Sequence, residues 1–206
     1  MKNKKLILAT IALSCTCYLA IAQDEKKSHT ITAEVPAAKA EQEASQKAWQ
    51  EYMRPGPMHE MLAKSNGDWQ AEVKMWMTPG ADPQVSTSHC TNTMILGGRY
   101  QQSMHRGDMM GMPFEGMSIV GYDNALKMYI STWVDNMGTG IMYMKGTYDE
   151  KNQLLTSTGK MVDAISGKEI NVRQTVKFVD DNTQVMEMYD MRGPKEFKTM
   201  EITFKR

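Results

Sequence analysis

Cysteine is nearly missing from this chain: three in 206 residues, two of them (Cys15 and Cys17) inside an apolar run near the start. If that run is removed, Cys90 alone remains, so no intramolecular disulfide can form and the fold must hold by packing. Histidine is almost as scarce, with His29, His59, His89 and His105. None of these has the His-x-His or His-Glu-x-x-His spacing of a zinc site, and His59-Glu60 has no second histidine downstream. No glycine-rich loop runs into Lys-Ser or Lys-Thr, which excludes a phosphate cradle, and no Gly-x-Ser-x-Gly elbow is present for acyl transfer. The residues therefore imply no metal and no cofactor, neither haem nor an ion.

Charge of one sign is lacking too. Lys plus Arg and Asp plus Glu stand at 24 each, and loss of Lys2, Lys4 and Lys5 with the first segment leaves a slight acidic excess. Such a chain exerts no long-range pull on a polyanion, so nucleic acid is not a partner. One long apolar run occurs, LILATIALSCTCYLAIA, behind those three lysines and ending Ala20-Ile21-Ala22. A basic start, a short greasy core and small residues at the cleavage point predict a cleaved signal peptide over 1–22. The mature protein is then expected in the periplasm or outside the cell, with no integral membrane segment. A lipoprotein signal is the competing reading, but neither cysteine has Leu at the third position before it.

Methionine is what the chain has in quantity, 21 residues scattered along its length. Residues 23–37 are polar without a period and read as a flexible leader. Residues 38–66 carry helical signals: an Ala-, Glu-, Lys- and Gln-rich stretch over 38–53, a stop at Arg54-Pro55-Gly56-Pro57, and a short helix from Pro57 with Met58, Met61 and Leu62 on one face. From 67 to 206 the period changes to two. Strands are predicted near 68–77, 85–96, 98–107, 112–121, 126–135, 138–147, 153–162, 168–179, 183–191 and 196–205, separated by Gly, Asn and Asp turn clusters. In 168–179, Ile170, Val172, Val176 and Phe178 share a face that Gln174 interrupts, and Met200, Ile202 and Phe204 repeat the pattern in the last strand. Ten strands without helical interruption predict an all-β, closed antiparallel meander barrel behind a helical extension, since closure removes both raw edges. A flat sandwich is the alternative.

At Gly67-Asp68-Trp69, just after a short helix, the chain resembles the opening of the lipocalin and fatty-acid-binding (calycin) superfamily. That likeness implies that Trp69 closes one barrel end under a basic residue of the last strand, Arg206 or else Lys205. A closer likeness runs from His59 to Arg206. HEMLAKSNGDWQAEVKMW, ILGGRY, RGDMMGMPFEGMSIVGYDNALKMYISTWVDNMGTG, GTYDE and KEFKTMEITFKR resemble the bacterial family of unknown function numbered 1579. It implies a family and no activity.

The densest methionine stretch, RGDMMGMPFEGMSIVGYD, offers thioethers that suit Cu(I). Met occurs in nearly every predicted strand, however, so core or pocket lining is the plainer reading. Gly107 and Gly111 are expected to bracket a hairpin turn. Trp133, Tyr129, Arg99, Glu115, Arg173 and Glu187 are the candidate ligand-binding residues, taken as aromatic and polar groups turned into the barrel; Gly67, Trp69 and Arg206 are the candidate structural ones. Cys90 reads as a buried small hydrophobe, because His89, its neighbour on a strand, points to the other face. The expected function is noncovalent, non-catalytic binding of a small apolar or amphipathic molecule. Two alternatives stand beside it: an interaction module with a filled barrel and a protein partner on helix 38–53, and a hydrolase-like enzyme with a polar cleft, for which Glu115 could pair with Glu187 or Glu201.

Overall fold

A computed structural model describes residues 34–206. The predicted signal and residues 23–33 of the leader lie outside the described residues. All ten strands belong to one compact unit, residues 43–206. The good helix formers make α1 (Glu34–Met53), which starts inside the expected leader. Pro57 opens α2 (Pro57–Ala63), with Gly56 before it in extended backbone. Among the described residues no helix is long and apolar enough to cross a membrane.

Ten strands follow: β1 (Gly67–Met75), β2 (Gln84–Ile95), β3 (Tyr100–Met109), β4 (Met112–Asp123), β5 (Met128–Asp135), β6 (Met142–Asp149), β7 (Leu154–Asp163), β8 (Lys168–Asp180), β9 (Thr183–Asp190) and β10 (Phe197–Lys205). Each pairs antiparallel with its neighbour, and β10 pairs with β1 from Gln70↔Lys205 to Met75↔Met200, closing the barrel. The expected meander is therefore present and the flat sandwich is not. The β3–β4 turn is tighter than expected. Met110 and Gly111 both take positive φ (54° and 79°) in a two-residue connection, while Gly107 lies within β3, opposite Ser88.

Register sorts the side chains. Residues paired directly across a ladder share a face, so Trp69 of β1 shares its face with Cys90 of β2, His105 of β3 and Gly116 of β4. The same chain of pairings puts Trp133 and Tyr129 of β5, Met144 of β6, Ser157 of β7, Gln174 of β8, Met186 of β9 and Phe204 of β10 inside. Outer positions include Glu72, Lys74, Lys177 and Glu201, the reverse of what a lipid-facing barrel wall needs.

One mouth is stoppered. Met58, Met61 and Leu62 of α2 pack onto Met94, Val120, Tyr122, Tyr129, Tyr148, Leu155, Val176 and Phe178. Burying that face stabilises at about 25 cal/mol per Å² of apolar surface. The carbonyls that α2 leaves unsatisfied at its C-terminal end are taken by donors of the barrel end. Gln101 Nε2 donates to Leu62 O (2.6 Å), and Trp69 Nε1 and Asn92 Nδ2 both donate to Ser65 O (2.9 Å). Arg206 donates to Lys64 O, Asn66 O and Asp181 O, and its guanidinium carbon lies 4.4 Å from the Trp69 ring centre. Gly67, with φ 109°, makes the turn that lets β1 begin beneath this lid.

Close approach of strands fixes Gly159. A Cβ there would meet Tyr143 O of β6 at 2.3 Å and Met144 Cγ at 2.8 Å. Gly159→Ala is expected to lower unfolding free energy by about 2 kcal/mol in urea denaturation, the cost of overpacking against backbone. Gly138→Ala is expected to change little, since the nearest atom there is Asp135 Oδ1 at 4.0 Å.

Candidate functional site

The mouth opposite α2 is formed by five connections, those after β1, β3, β5, β7 and β9. Each presents an exposed large apolar residue: Met77, Met110, Ile141, Ile165 and Met191. Ile165, at 98% exposure, is the extreme case. Below this rim, the Trp133 indole lies edge-on to His105 (5.1 Å between ring centres) and roughly parallel to Phe114 (6.3 Å). Its Nε1 donates to Asp135 Oδ2 at 2.6 Å, so Asp135 fixes the ring and does not just cap the turn, although its Oδ1 also accepts from Met137 N.

Deeper in the barrel, Cys90 Sγ sits 3.5 Å from His105 Nε2 and 3.3 Å from Asn92 Oδ1. Burial pushes the Cys90 thiol up to about 12 and the His105 imidazole down to about 4. Both groups are thus neutral near pH 7. A nucleophilic cysteine needs the reverse, a thiolate stabilised by an imidazolium, and this pair does not supply it.

The inner wall of the barrel also carries polar groups. Ser103, Ser118, Ser131, Ser157 and Gln174 all face inward. None of these side chains has a hydrogen-bond partner among the described residues, and neither does His105 Nδ1. Yet among those residues no side-chain nitrogen or oxygen is both sealed from solvent and unpaired. These polar atoms therefore each keep some contact with solvent. Inward-facing Met186, Phe204 and Gln174 are half-buried, where a solid core would cover them. The contrast with the stoppered end is plain: there, Gln101, Asn92 and Trp69 spend their donors on α2 carbonyls.

Of the residues the sequence singles out, Trp133 faces the barrel interior. Tyr129 also faces inward but is buried at the α2 end, donating to Met58 O at 3.0 Å; it holds the stopper. The other four lie elsewhere. Arg99 sits in the β2–β3 turn, where Nη2 donates to Met53 O and Nη1 to Leu96 O. Glu115 faces outward and pairs with Arg106 at 2.8 Å. Arg173 also points outward, bound to Glu196 and stacked on Tyr189 at 4.0 Å. Glu187 accepts from Lys198 and Tyr189 on the same outer wall. The physical reason is phase: Glu115 alternates with inward Phe114 and Gly116, Arg173 with Val172 and Gln174, Glu187 with Met186 and Met188. Glu201 shares the outer face, opposite Glu187, so no pair of these acids converges inside.

Sequence reasoning missed His105 as an inner-wall residue and the partner of Cys90. The two touch across the β2–β3 ladder, Cys90↔His105. The strand phase that puts His105 with Gln101 and Ser103 was the available signal. Among the described residues no group of three or more His, Cys, Asp or Glu is placed to hold a metal ion.

No curated protein matches this chain. Among solved structures it is similar to the crystal structure of Rv2717c from M. tuberculosis, at 11% sequence identity and a TM-score of 0.56, over 74% of this chain and 99% of that one. At that identity the likeness is one of fold. A family model described as "Protein of unknown function (DUF1579)" matches residues 54–206, from just before α2 through β10, and the chain belongs to that family.

Proposed function

We propose that the barrel takes up a small apolar or amphipathic molecule through the mouth opposite α2, and that it does so outside the cytoplasm after removal of residues 1–22. The observation that carries the reading is the set of unpaired inward polar groups that solvent still reaches, among Met186, Phe204 and Trp133. Methionine suits such a wall, because an unbranched thioether adapts to irregular shapes. The apolar rim gives a greasy ligand a path in. The helix before Gly67-Asp68-Trp69 and the guanidinium of Arg206 over Trp69 support placing this barrel with the lipocalin and fatty-acid-binding group. Residues 1–22 support export by their basic, apolar and small-residue order.

Native mass spectrometry of protein purified from its own host tests the reading. A retained small molecule, or uptake of one from an extract of host lipids, is the expected result. A bare polypeptide in both cases overturns it. A second reading, a protein partner on α1, is favoured by one observation: Trp49, Tyr52 and Met53 are all exposed near the end of that helix.

A further inference from the structure

Resting on the lumen reading above, we infer that the ligand is uncharged: an apolar body carrying a neutral hydrogen-bonding head such as a hydroxyl, not a carboxylate. The inference comes from what the inner wall offers a head group. Its polar groups at mid-depth are the Ser103, Ser118, Ser131 and Ser157 hydroxyls, the Gln174 amide and His105 Nδ1. All are neutral, and each can exchange a hydrogen bond with an alcohol or amide.

No cation meets them. Among the described residues, Lys74, Arg106, Lys145, Lys160, Arg173 and Lys177 all alternate with inward residues and so lie on the outer face. At the α2 end, Arg206 is committed to three carbonyls and the Trp69 ring. At the open mouth, Arg192 is held between Asp190 and Asp163, and Lys168 stands exposed at the end of the β7–β8 hairpin. His105 does not become a cation near neutral pH, since burial holds its imidazole well below the usual range.

A carboxylate sunk to this depth would lose its water and gain no counter-charge, which costs several kcal/mol per ion. Turned the other way, with its chain inside and its head at the mouth, it would face Asp135, Asp163 and Asp190 with Arg192 already shared between two of them. Both orientations penalise the anion. An alcohol of the same length pays neither cost and finds partners for its hydroxyl.

Equilibrium dialysis of the mature protein against 1-decanol and against decanoate at pH 7, with bound ligand measured by gas chromatography, tests this. The two share a chain and differ in head charge. The alcohol is expected to bind at least about tenfold more tightly, as an unpaired buried charge demands. Decanoate binding as tightly as decanol, or more tightly, overturns the neutral-head inference while leaving the lumen reading intact. Retention of neither overturns both. His105→Phe, which keeps the ring volume and removes the nitrogens, is expected to weaken decanol binding about fivefold, the worth of one neutral hydrogen bond. An unchanged affinity in that variant removes His105 from the head-group site.

Discussion

Trp69→Ala is expected to lower the free energy of unfolding by about 3–5 kcal/mol, the range for emptying a large buried aromatic site. Trp69 is 1% exposed, one of the largest fully buried side chains among the described residues. It stands where three parts of the chain converge: the α2 C-terminus through Ser65 O, the second strand through Cys90, and the last residue through Arg206. Removing it leaves a cavity and a guanidinium with nothing beneath it, while Ser65 O keeps only the Asn92 donor. Arg206→Ala removes the lid and three hydrogen bonds but leaves the indole packed, and is expected to cost less, about 1–2 kcal/mol. Urea denaturation of both variants gives the comparison. If Arg206→Ala proved the costlier, closure at this end would rest on the cation and not on packing. Arg206→Lys is not expected to restore the loss, because one ammonium cannot span carbonyls of Lys64, Asn66 and Asp181.

Stability is expected to fall as pH drops from about 6.5 toward 4, by about 3 kcal/mol in total from His105 alone. Unfolded, the imidazole takes up its proton near 6.5; folded, burial delays this to about 4. Between those values the unfolded chain binds more protons than the folded one, so acid favours unfolding and alkali removes the penalty. Asp163, Asp190 and Glu196 have carboxyls held below the usual range, chiefly by Ser166, Arg192 and Arg173 respectively, and at Glu187 burial pushes up but is outweighed by Tyr189 and Lys198 together. Their own loss of stability falls below about pH 4.5, where free carboxylates titrate. The interval from 5 to 6.5 is therefore histidine territory. Thermal unfolding across it should slope in the wild type and slope less in His105→Phe. Equal slopes would mean that the imidazole is not desolvated as its surroundings imply.

The strand framework was legible because each strand ends at a turn signal, Leu96-Gly97-Gly98 or Asp180-Asp181-Asn182 for example. Tight turns left little freedom in the meander. Harder to read was which of two alternating faces turns inward. In β8 the apolar set marks the inside despite Gln174. In β9, Thr183 to Asp190, both faces carry large residues, and Glu187 against Met188 gives no unambiguous sign. The glutamate expected inside from β9 is on the outer wall for that reason, whereas the outward phase of Arg173 in β8 follows from its apolar neighbours Val172 and Val176. The inward phase of Trp133 was readable because its strand neighbours Thr132 and Val134 leave it the dominant bulky group. The Cys90–His105 contact needs a register as well as a face, and register follows from the geometry of the β2–β3 connection, which composition does not fix.

The seam between β1 and β10 makes completion of the ring depend on the final nine-residue strand. Until that strand arrives, nine paired strands present two raw borders, β1 and β9, each able to recruit a strand from another molecule. A chain shortened by this one strand should thus be rescued by a separate peptide of sequence FKTMEITFK, or else swap and polymerise through the gap. Because the seam joins segments from opposite ends of the barrel sequence, its formation should also be the slow step of folding.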